Sequence, residues 1–160
     1  MNTDVFYQMP SYATLIVQDL QFSTRWYQKI LGFQLIFQMP GPGGQPSLSH
    51  LRWAKYADLM LMAETSNHSN RGLKGSGVTL TFAVTEGSVD AIASRARNNG
   101  YPQVSGPHNR PWKAREVIVI DPDGYRLTFS EALHSTQDLE DVVGKIIKEA
   151  GLEMSSRGHE

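Results

Sequence analysis

The stretch from Trp112 to Glu131 constrains the fold more than any other part of the sequence. Val117–Ile120 is a run of β-branched residues, which is typical of a buried strand. In the Asp-Pro-Asp-Gly sequence that follows, proline presets φ for a tight turn, and Gly124 supplies the positive φ that closes it. Tyr125–Ser130 then alternates apolar and polar side chains, as a half-buried strand does. The stretch therefore predicts a β-hairpin with one apolar face and one polar face.

The rest of the chain predicts two copies of one unit, each in the order β-α-β-β-β. In the first copy, over residues 11–64, a strand at Ser11–Val17 precedes a helix that Asp19 caps and Gly32 ends. In the second copy, over residues 78–131, a strand at Thr79–Thr85 precedes a helix at Glu86–Asn99, and the hairpin closes the unit. The other predicted strands are Phe33–Met39, Leu48–Ala54, Leu59–Glu64 and Pro102–Ser105, the last followed by a loop at Gly106–Pro111.

The predicted fold class is α+β, with two βαβββ modules that form a cupped mixed sheet, plus a C-terminal helix. Residues 1–135 are predicted to be one domain, in which residues 65–77 link the modules, and residues 136–160 are predicted to form the helix and a tail. Six apolar residues share one face of this helix, which indicates that it docks against something: Leu139, Val142, Val143, Ile146, Ile147 and Ala150.

Composition narrows the classes of function. The net charge of −1 gives no electrostatic footprint for nucleic acid or an anionic membrane. The chain has no cysteine, which excludes disulfides, thiolate nucleophiles and Cys-ligated zinc. It has no apolar run of the roughly 18 residues that a spanning helix needs, and no signal peptide is visible. We therefore expect a cytoplasmic, globular protein.

Three motifs in this order carry a resemblance to a known family. They are a first strand that ends Val17-Gln-Asp-Leu20, a helix that ends Leu31-Gly-Phe33, and the Asp-Pro-Asp-Gly hairpin. Within two βαβββ units, they resemble the vicinal-oxygen-chelate superfamily, also called the glyoxalase, bleomycin-resistance and dioxygenase superfamily. Trp112 with Arg115-Glu116 ahead of the turn looks most like the bleomycin-resistance proteins. The resemblance implies two half-cups that close around a pocket, in a homodimer whose pockets lie where units from two chains meet.

The resemblance also implies where a metal would bind. Enzymes of this superfamily hold a divalent ion through His, Glu or Gln on the opening and closing strands of each unit. The matching positions here are Tyr12, Leu61, Thr79 and Thr128. None of these side chains is a competent primary ligand, so the prediction is no metal and no cofactor. The alternative is a relocated metal site built from His50, His108, Glu64 and Glu131.

Strand alternation predicts which side chains line the cup. Leu80, Phe82 and Val84 should face the helix, so that hydroxyl and small side chains face the cavity with an arginine. Trp26 is predicted to be core, whereas Trp53 and Trp112 suit either core or pocket wall. The predicted ligand-binding residues are Tyr12, Thr14, Trp53, Thr79, Thr81, Trp112, Arg115, Arg126 and Thr128.

Three hypotheses for function follow. The first is a metal-free protein that binds and sequesters an aromatic, antibiotic-like small molecule through Trp and Tyr stacking. The second is an enzyme of the same superfamily, a lyase, isomerase or dioxygenase, with a relocated metal site or metal-independent chemistry. The third is a dimeric scaffold with no ligand. The expected partners are a small molecule and a second copy of the chain, with no nucleic acid and no membrane.

Overall fold

A computed structural model of the chain describes residues 7–65, 74–133 and 136–149, with side chains described for all of these except 136–140 and 142. Most of the predicted linker and the predicted tail lie outside the described residues. None of the described helices is long and apolar enough to cross a membrane.

The strands form two four-stranded mixed sheets. The first sheet contains β1 (Tyr12–Val17), β2 (Gln34–Pro40), β3 (Pro46–Ala54) and β4 (Ala57–Ala63). The second contains β5 (Thr79–Val84), β6 (Val104–Asn109), β7 (Ala114–Ile120) and β8 (Arg126–Ala132). The spatial orders are β1-β4-β3-β2 and β5-β8-β7-β6, with β1 parallel to β4, β5 parallel to β8, and the other neighbours antiparallel. The predicted α+β fold of two βαβββ modules is confirmed.

One helix precedes the second strand of each module. The first, α1 (Leu20–Trp26), continues as a π-helical segment over Tyr27–Leu31, and the second is α2 (Ser88–Asn98). A third helix, α3 (Thr136–Glu149), follows the second module. The predicted caps of the first helix are confirmed, since the Asp19 side chain accepts a hydrogen bond from the Phe22 amide at 2.8 Å and Gly32 adopts a left-handed φ of 91°.

The predicted loop at Gly106–Pro111 is wrong for its first four residues, which belong to β6. Strand β6 continues to Asn109, because a register shift between Ser105 and His108 absorbs the glycine and proline before pairing with β7 resumes at His108 and Glu116. Glycine and proline usually indicate a turn, but within a strand they also mark such a bulge.

The two modules share one aromatic core. The ring of Phe33, in the first module, lies 5.4 Å from that of Phe82 and 6.4 Å from that of Phe129, both in the second. The Tyr27 hydroxyl donates a hydrogen bond to Asp121 Oδ2 at 2.8 Å across the same boundary. Helix α1 packs on β3 and β4, α2 packs on β6, β7 and β8, and α2 contacts the π-helical segment. The modules therefore meet through the faces of their sheets that carry the helices.

Two further contacts fix the boundary between the modules. The Arg95 guanidinium on α2 donates to the carbonyl oxygens of Ile30 and Leu31, which the end of a helix leaves without intrahelical partners. The Tyr125 hydroxyl both accepts from the amide of Ile16 and donates to its carbonyl, each at 3.1 Å. With the helix-bearing faces joined in this way, the opposite face of each sheet points away from the shared core.

Substitution of Trp26 tests whether its side chain is part of the hydrophobic core. Its side chain is 6% exposed, whereas Phe22 on the same helix is 49% exposed. Trp26→Ala should lower the free energy of unfolding by about 3–5 kcal/mol, the cost of emptying a buried aromatic site. Phe22→Ala is the matched control and should change it by less than about 0.5 kcal/mol. Urea unfolding measures both, and equal losses would contradict the packing of this helix.

Candidate functional site

The outward face of the first sheet, which we call the first face, is the side of β1, β3 and β4 turned away from α1. Because side chains alternate along a strand, Tyr12 and Thr14 of β1 share this face with Met60 and Met62 of β4. Their register supports the grouping, since Thr14 pairs with Met60. Leu61, between the two methionines, is fully buried in the core instead.

A pocket of about 390 Å³ lies on the first face. Its wall contains Met9, Met39, Met60 and Met62, which are all the methionines among the described residues. Aromatic rings from Tyr7, Tyr12 and Phe37 complete the apolar part, with Leu48. The polar part consists of Thr14, His50 and Arg52. A wide apolar wall with a few convergent polar groups is the usual composition of a small-molecule site.

Asp58 organises the polar part of this pocket. Its carboxylate accepts hydrogen bonds from the Tyr7 hydroxyl at 2.6 Å, from His50 Nε2 at 2.7 Å and from Arg52 Nε at 2.7 Å. Its side chain is 0% exposed. Burial by itself raises the pKa of Asp58, but the hydrogen bonds from Tyr7, His50 and Arg52 outweigh burial and leave the pKa below its usual value. Asp58 is therefore an ionised carboxylate that holds the three other side chains in place.

The Asp58 cluster was not predicted from the sequence, where only the spacing of His50 and Arg52 points to it. His50 and Arg52 are two residues apart, so they share one face of β3. The turn at Lys55 and Tyr56 returns the chain so that Asp58 pairs with Arg52 across the hairpin. Counting across the two-residue turn alone would pair Arg52 with Leu59, and the register shift between Arg52 and Ala54 is what brings Asp58 opposite Arg52. The sequence instead suggested His50 only as a member of the alternative metal site.

The outward face of the second sheet, which we call the second face, carries hydroxyls and one anchored carboxylate. It contains Thr79, Thr81, Glu116, Arg126, Thr128 and Ser130. Glu116 accepts hydrogen bonds from Arg110 Nε at 2.8 Å, from the Trp112 indole N–H at 3.2 Å and from the Ser130 hydroxyl at 3.3 Å. Trp112 thus stands at the rim of this face, 48% exposed, with the Arg110 guanidinium 5.8 Å from its ring.

Two predicted ligand-binding residues lie on the wrong side of their sheets. Arg115 forms a two-bond ion pair with Asp90 of α2, with both contacts at 2.8 Å. The Trp53 ring packs against Phe33 at 5.6 Å and Phe129 at 5.1 Å. The alternation that points Glu116 and Arg52 outward turns their neighbours Arg115 and Trp53 toward the helices. The other seven predicted residues lie on the two outward faces or at their rim.

The residues at the superfamily's metal positions do not fit a divalent cation. Tyr12, Thr79 and Thr128 lie on the outward faces, but Leu61 is a core residue, and the neighbours that face outward are methionines. Neutral hydroxyls and thioethers are poor ligands for hard cations. Among the described residues, no three His, Cys, Asp or Glu side chains form a group that could hold a metal ion.

The alternative metal site is also not assembled. Its four predicted members have separate surroundings: His50 bonds Asp58, Glu64 pairs with Lys74, Glu131 accepts from the amide of Val89, and His108 pairs along β6 with Glu116 of β7. The four side chains therefore do not form a group that could hold a metal ion.

Comparisons with known proteins agree on the fold. Residues 10–129 match the sequence model of the glyoxalase/bleomycin resistance protein/dioxygenase superfamily. A search of curated proteins found no match. Solved structures similar to this chain include a glyoxylase/bleomycin resistance protein/dioxygenase domain from Frankia sp. EAN1pec, with 20% identity, 79% of this chain and 93% of that chain covered, and a TM-score of 0.64.

Two other similar structures have more specific descriptions. One is the fosfomycin resistance protein FosX from Listeria monocytogenes, in complex with Mn(II) and sulfate, with 18% identity, coverage of 85% and 98%, and a TM-score of 0.59. The other is a bleomycin resistance determinant encoded on transposon Tn5, with 18% identity, coverage of 76% and 96%, and a TM-score of 0.54. At these identities the likeness shows the fold alone.

The low pKa of Asp58 predicts a pH dependence of stability. Stability from such a group is fully present above its unfolded pKa of about 4 and is lost as pH falls through the lower folded-state pKa. At pH 7, Asp58→Asn should lower the free energy of unfolding by about 2–5 kcal/mol, because it removes one partner of a buried charge cluster. Urea unfolding at successively lower pH should show the gap between the two proteins shrinking below about pH 4.

Asp90→Asn provides the control for this prediction. Asp90 also pairs with an arginine, but its side chain is 54% exposed, so solvent screens the pair. The variant should stay close to the wild type at every pH. A gap between wild type and Asp58→Asn that stays constant down to the lowest pH would contradict the assignment of the charge to Asp58.

Proposed function

Because the chain belongs to the glyoxalase/bleomycin resistance protein/dioxygenase superfamily, we propose that it uses the superfamily cup to bind and sequester an aromatic small molecule without a metal ion. The observation that carries the proposal is the pocket on the first face. Its wall consists of methionines and aromatic rings. Some of them lie on β1 and β4, the opening and closing strands on which a metal-binding member carries its His or Glu ligands. A fold does not by itself imply a function, and these side chains are what support metal-free binding of an aromatic molecule.

The methionines favour an aromatic ligand. A thioether is polarisable and makes favourable contacts with an aromatic ring, and the unbranched side chain adapts to ligands of different outline. Tyr12 is 54% exposed on the same face, where its ring is available to stack on a planar molecule. These features suit binding of a ring system more than recognition of a small, highly charged substrate.

The ligand we propose is antibiotic-like, in line with two of the similar structures, which are described as bleomycin and fosfomycin resistance proteins. The net charge of −1 argues against a strongly cationic drug, since a cationic ligand favours a strongly acidic protein. We therefore favour a planar compound without a large positive charge.

A closed site requires a second copy of the chain. Every residue lining the pocket comes from the first module or the segment before it. The second face, with Thr81, Thr128 and Trp112, points away from the core that the two modules share. We propose a homodimer in which the second face of one chain covers the first face of the other. Val143 and Ile146 of α3 are nearly half exposed, and we propose that they add to this contact.

One observation favours a second candidate function. His50 is held by a buried carboxylate, which is the arrangement that orients an imidazole as a general base. An enzyme of the superfamily that works without a metal, as an isomerase or lyase, would use such a group. Mass spectrometry of the ligand recovered after incubation separates the two candidates, because sequestration returns the ligand unchanged.

The proposed binding is tested by a melting-temperature screen of planar aromatic compounds. A ligand that binds only the native state raises the melting temperature in proportion to its occupancy. Hits should stabilise the wild type equally before and after treatment with EDTA, and EDTA alone should leave the melting temperature unchanged. A fall of several degrees in EDTA would overturn metal-free binding, and an absence of hits would overturn the binding function.

The composite site is tested by mixing two blocked variants. Thr14→Trp fills the first face and Thr81→Trp fills the second, so each variant alone should fail to bind a hit from the screen. In a coexpressed mixture, each heterodimer pairs one intact first face with one intact second face. About a quarter of the sites should then recover, as a two-fold symmetric dimer with shared sites requires.

Light scattering provides the control, since both variants should have twice the mass of one chain. No recovery in the mixture, or a wild-type monomer, would contradict a site shared between two chains.

A further inference from the structure

We propose that His50 accepts a hydrogen bond from the bound ligand, so that the pocket selects aromatic rings that carry a hydrogen-bond donor such as a hydroxyl. The inference rests on the proposed function, because it concerns the same pocket, and it names the chemical class of the ligand. It follows from the position of His50, the state of its two ring nitrogens and the side chains around it.

His50 faces the pocket from the middle of the first sheet. It lies on β3, between β2 and β4, and its backbone position pairs with Phe37 on one side and Met60 on the other. Both neighbours also line the pocket. The Phe37 ring stands edge-on to the imidazole with the ring centres 5.8 Å apart, which fixes the plane of the imidazole. The histidine is only 4% exposed, so a group that meets it comes from within the pocket.

The contact with Asp58 decides which nitrogen carries the proton. His50 Nε2 lies 2.7 Å from Asp58 Oδ1, and an ionised carboxylate can only accept a hydrogen bond. Nε2 is therefore the donor, and in the neutral ring Nδ1 keeps its lone pair. Arg52 Nε also lies 2.7 Å from Asp58 Oδ1, so an arginine already balances the charge of the carboxylate. The cluster thus holds the imidazole in one orientation, with Nε2 directed at the carboxylate.

Within the described part of the chain, the hydrogen bond of the His50 ring runs from Nε2 to Asp58, and Nδ1 is the ring nitrogen left for a ligand. A ligand that covers Nδ1 without donating to it leaves an acceptor unpaired, which costs free energy, and a ligand that donates to it avoids that cost. The methionine side chains and the Phe37 ring offer contacts to the face of a ligand ring, and thioethers and hydrocarbon groups do not themselves donate to Nδ1. A ring with a hydroxyl therefore matches both parts of the site, the wall through its face and Nδ1 through its donor.

The expected selectivity between ligands follows from the cost of covering Nδ1 with a ligand that cannot donate a hydrogen bond to it. A site built to bond a ligand hydroxyl rejects the analogue that lacks it more strongly than an apolar pocket rejects a small change in size. We expect the donor-bearing ligand to bind about ten- to a hundred-fold more tightly than the analogue, the range for leaving one buried polar group unpaired.

The test compares 2-naphthol with 2-methoxynaphthalene, which have the same ring system and differ in the donor. Isothermal titration should show the wild type preferring 2-naphthol about ten-fold or more. His50→Phe keeps a ring at this position but removes the acceptor, so its preference should fall to about one-fold. Met62→Leu is the matched control on the pocket wall, and it should change both affinities together while keeping their ratio.

The outcomes separate this inference from the proposed function. If the wild type binds both compounds with equal affinity, aromatic binding stands and the role of His50 is refuted. If His50→Phe keeps the preference, the role is likewise refuted. If the wild type binds neither compound, the inference about His50 fails, and the screen of planar compounds decides the proposed function.

A second measurement does not depend on the variant folding. In nitrogen-15 NMR of the wild type, 2-naphthol should shift the Nδ1 resonance of His50, and 2-methoxynaphthalene should leave it in place. A Nδ1 resonance that 2-naphthol does not move overturns the proposal.

Discussion

The buried hydrogen bond from Tyr27 to Asp121 is the contact on which the arrangement of the two modules depends. Asp121 begins the Asp-Pro-Asp-Gly turn, and its other carboxylate oxygen accepts from the amides of Asp123 and Tyr125, which closes that turn. Burial raises the pKa of Asp121, while the hydrogen bond from Tyr27 opposes that rise. One side chain therefore shapes the last hairpin of the second module and also binds the first helix of the other module.

This contact determines which surfaces remain for function. With the helix-bearing faces joined around Phe33 and Phe129, the outward faces of the two sheets lie on opposite sides of the shared core. The two faces are also chemically different. The first has methionines around the Asp58 cluster, and the second has hydroxyls around Glu116. In the proposed two-fold dimer, each of the two sites pairs the first face of one chain with the unlike second face of the other, and we place the proposed ligand between them.

The sequence predicted the order of elements and the shared faces well, because alternation and turn chemistry are local. The caps at Asp19 and Gly32 and the hairpin at Gly124 followed from single residues with strong conformational preferences. The predicted positions differ from the structure for long side chains that can pack on either face of a sheet. Trp53 and Arg115 are long enough to fill a core or a pocket, so only the register of the sheet could assign them. The Asp58 cluster was missed because it depends on contact across a hairpin whose register is shifted by a bulge between Arg52 and Ala54, which spacing does not indicate.

We propose that each pocket is formed by the first face of one chain and the second face of another, and a distance measurement between the two faces tests this directly. The chain has no cysteine, so Thr14→Cys and Thr81→Cys in one protein provide two unique sites for spin labels. Pulsed electron paramagnetic resonance should detect a short distance between the labels in the fully labelled protein. That distance should disappear when labelled chains are diluted into an excess of unlabelled chains, because the two labels then lie on opposite sides of one chain. A short distance that survives dilution would place both faces in one chain's pocket and contradict the account.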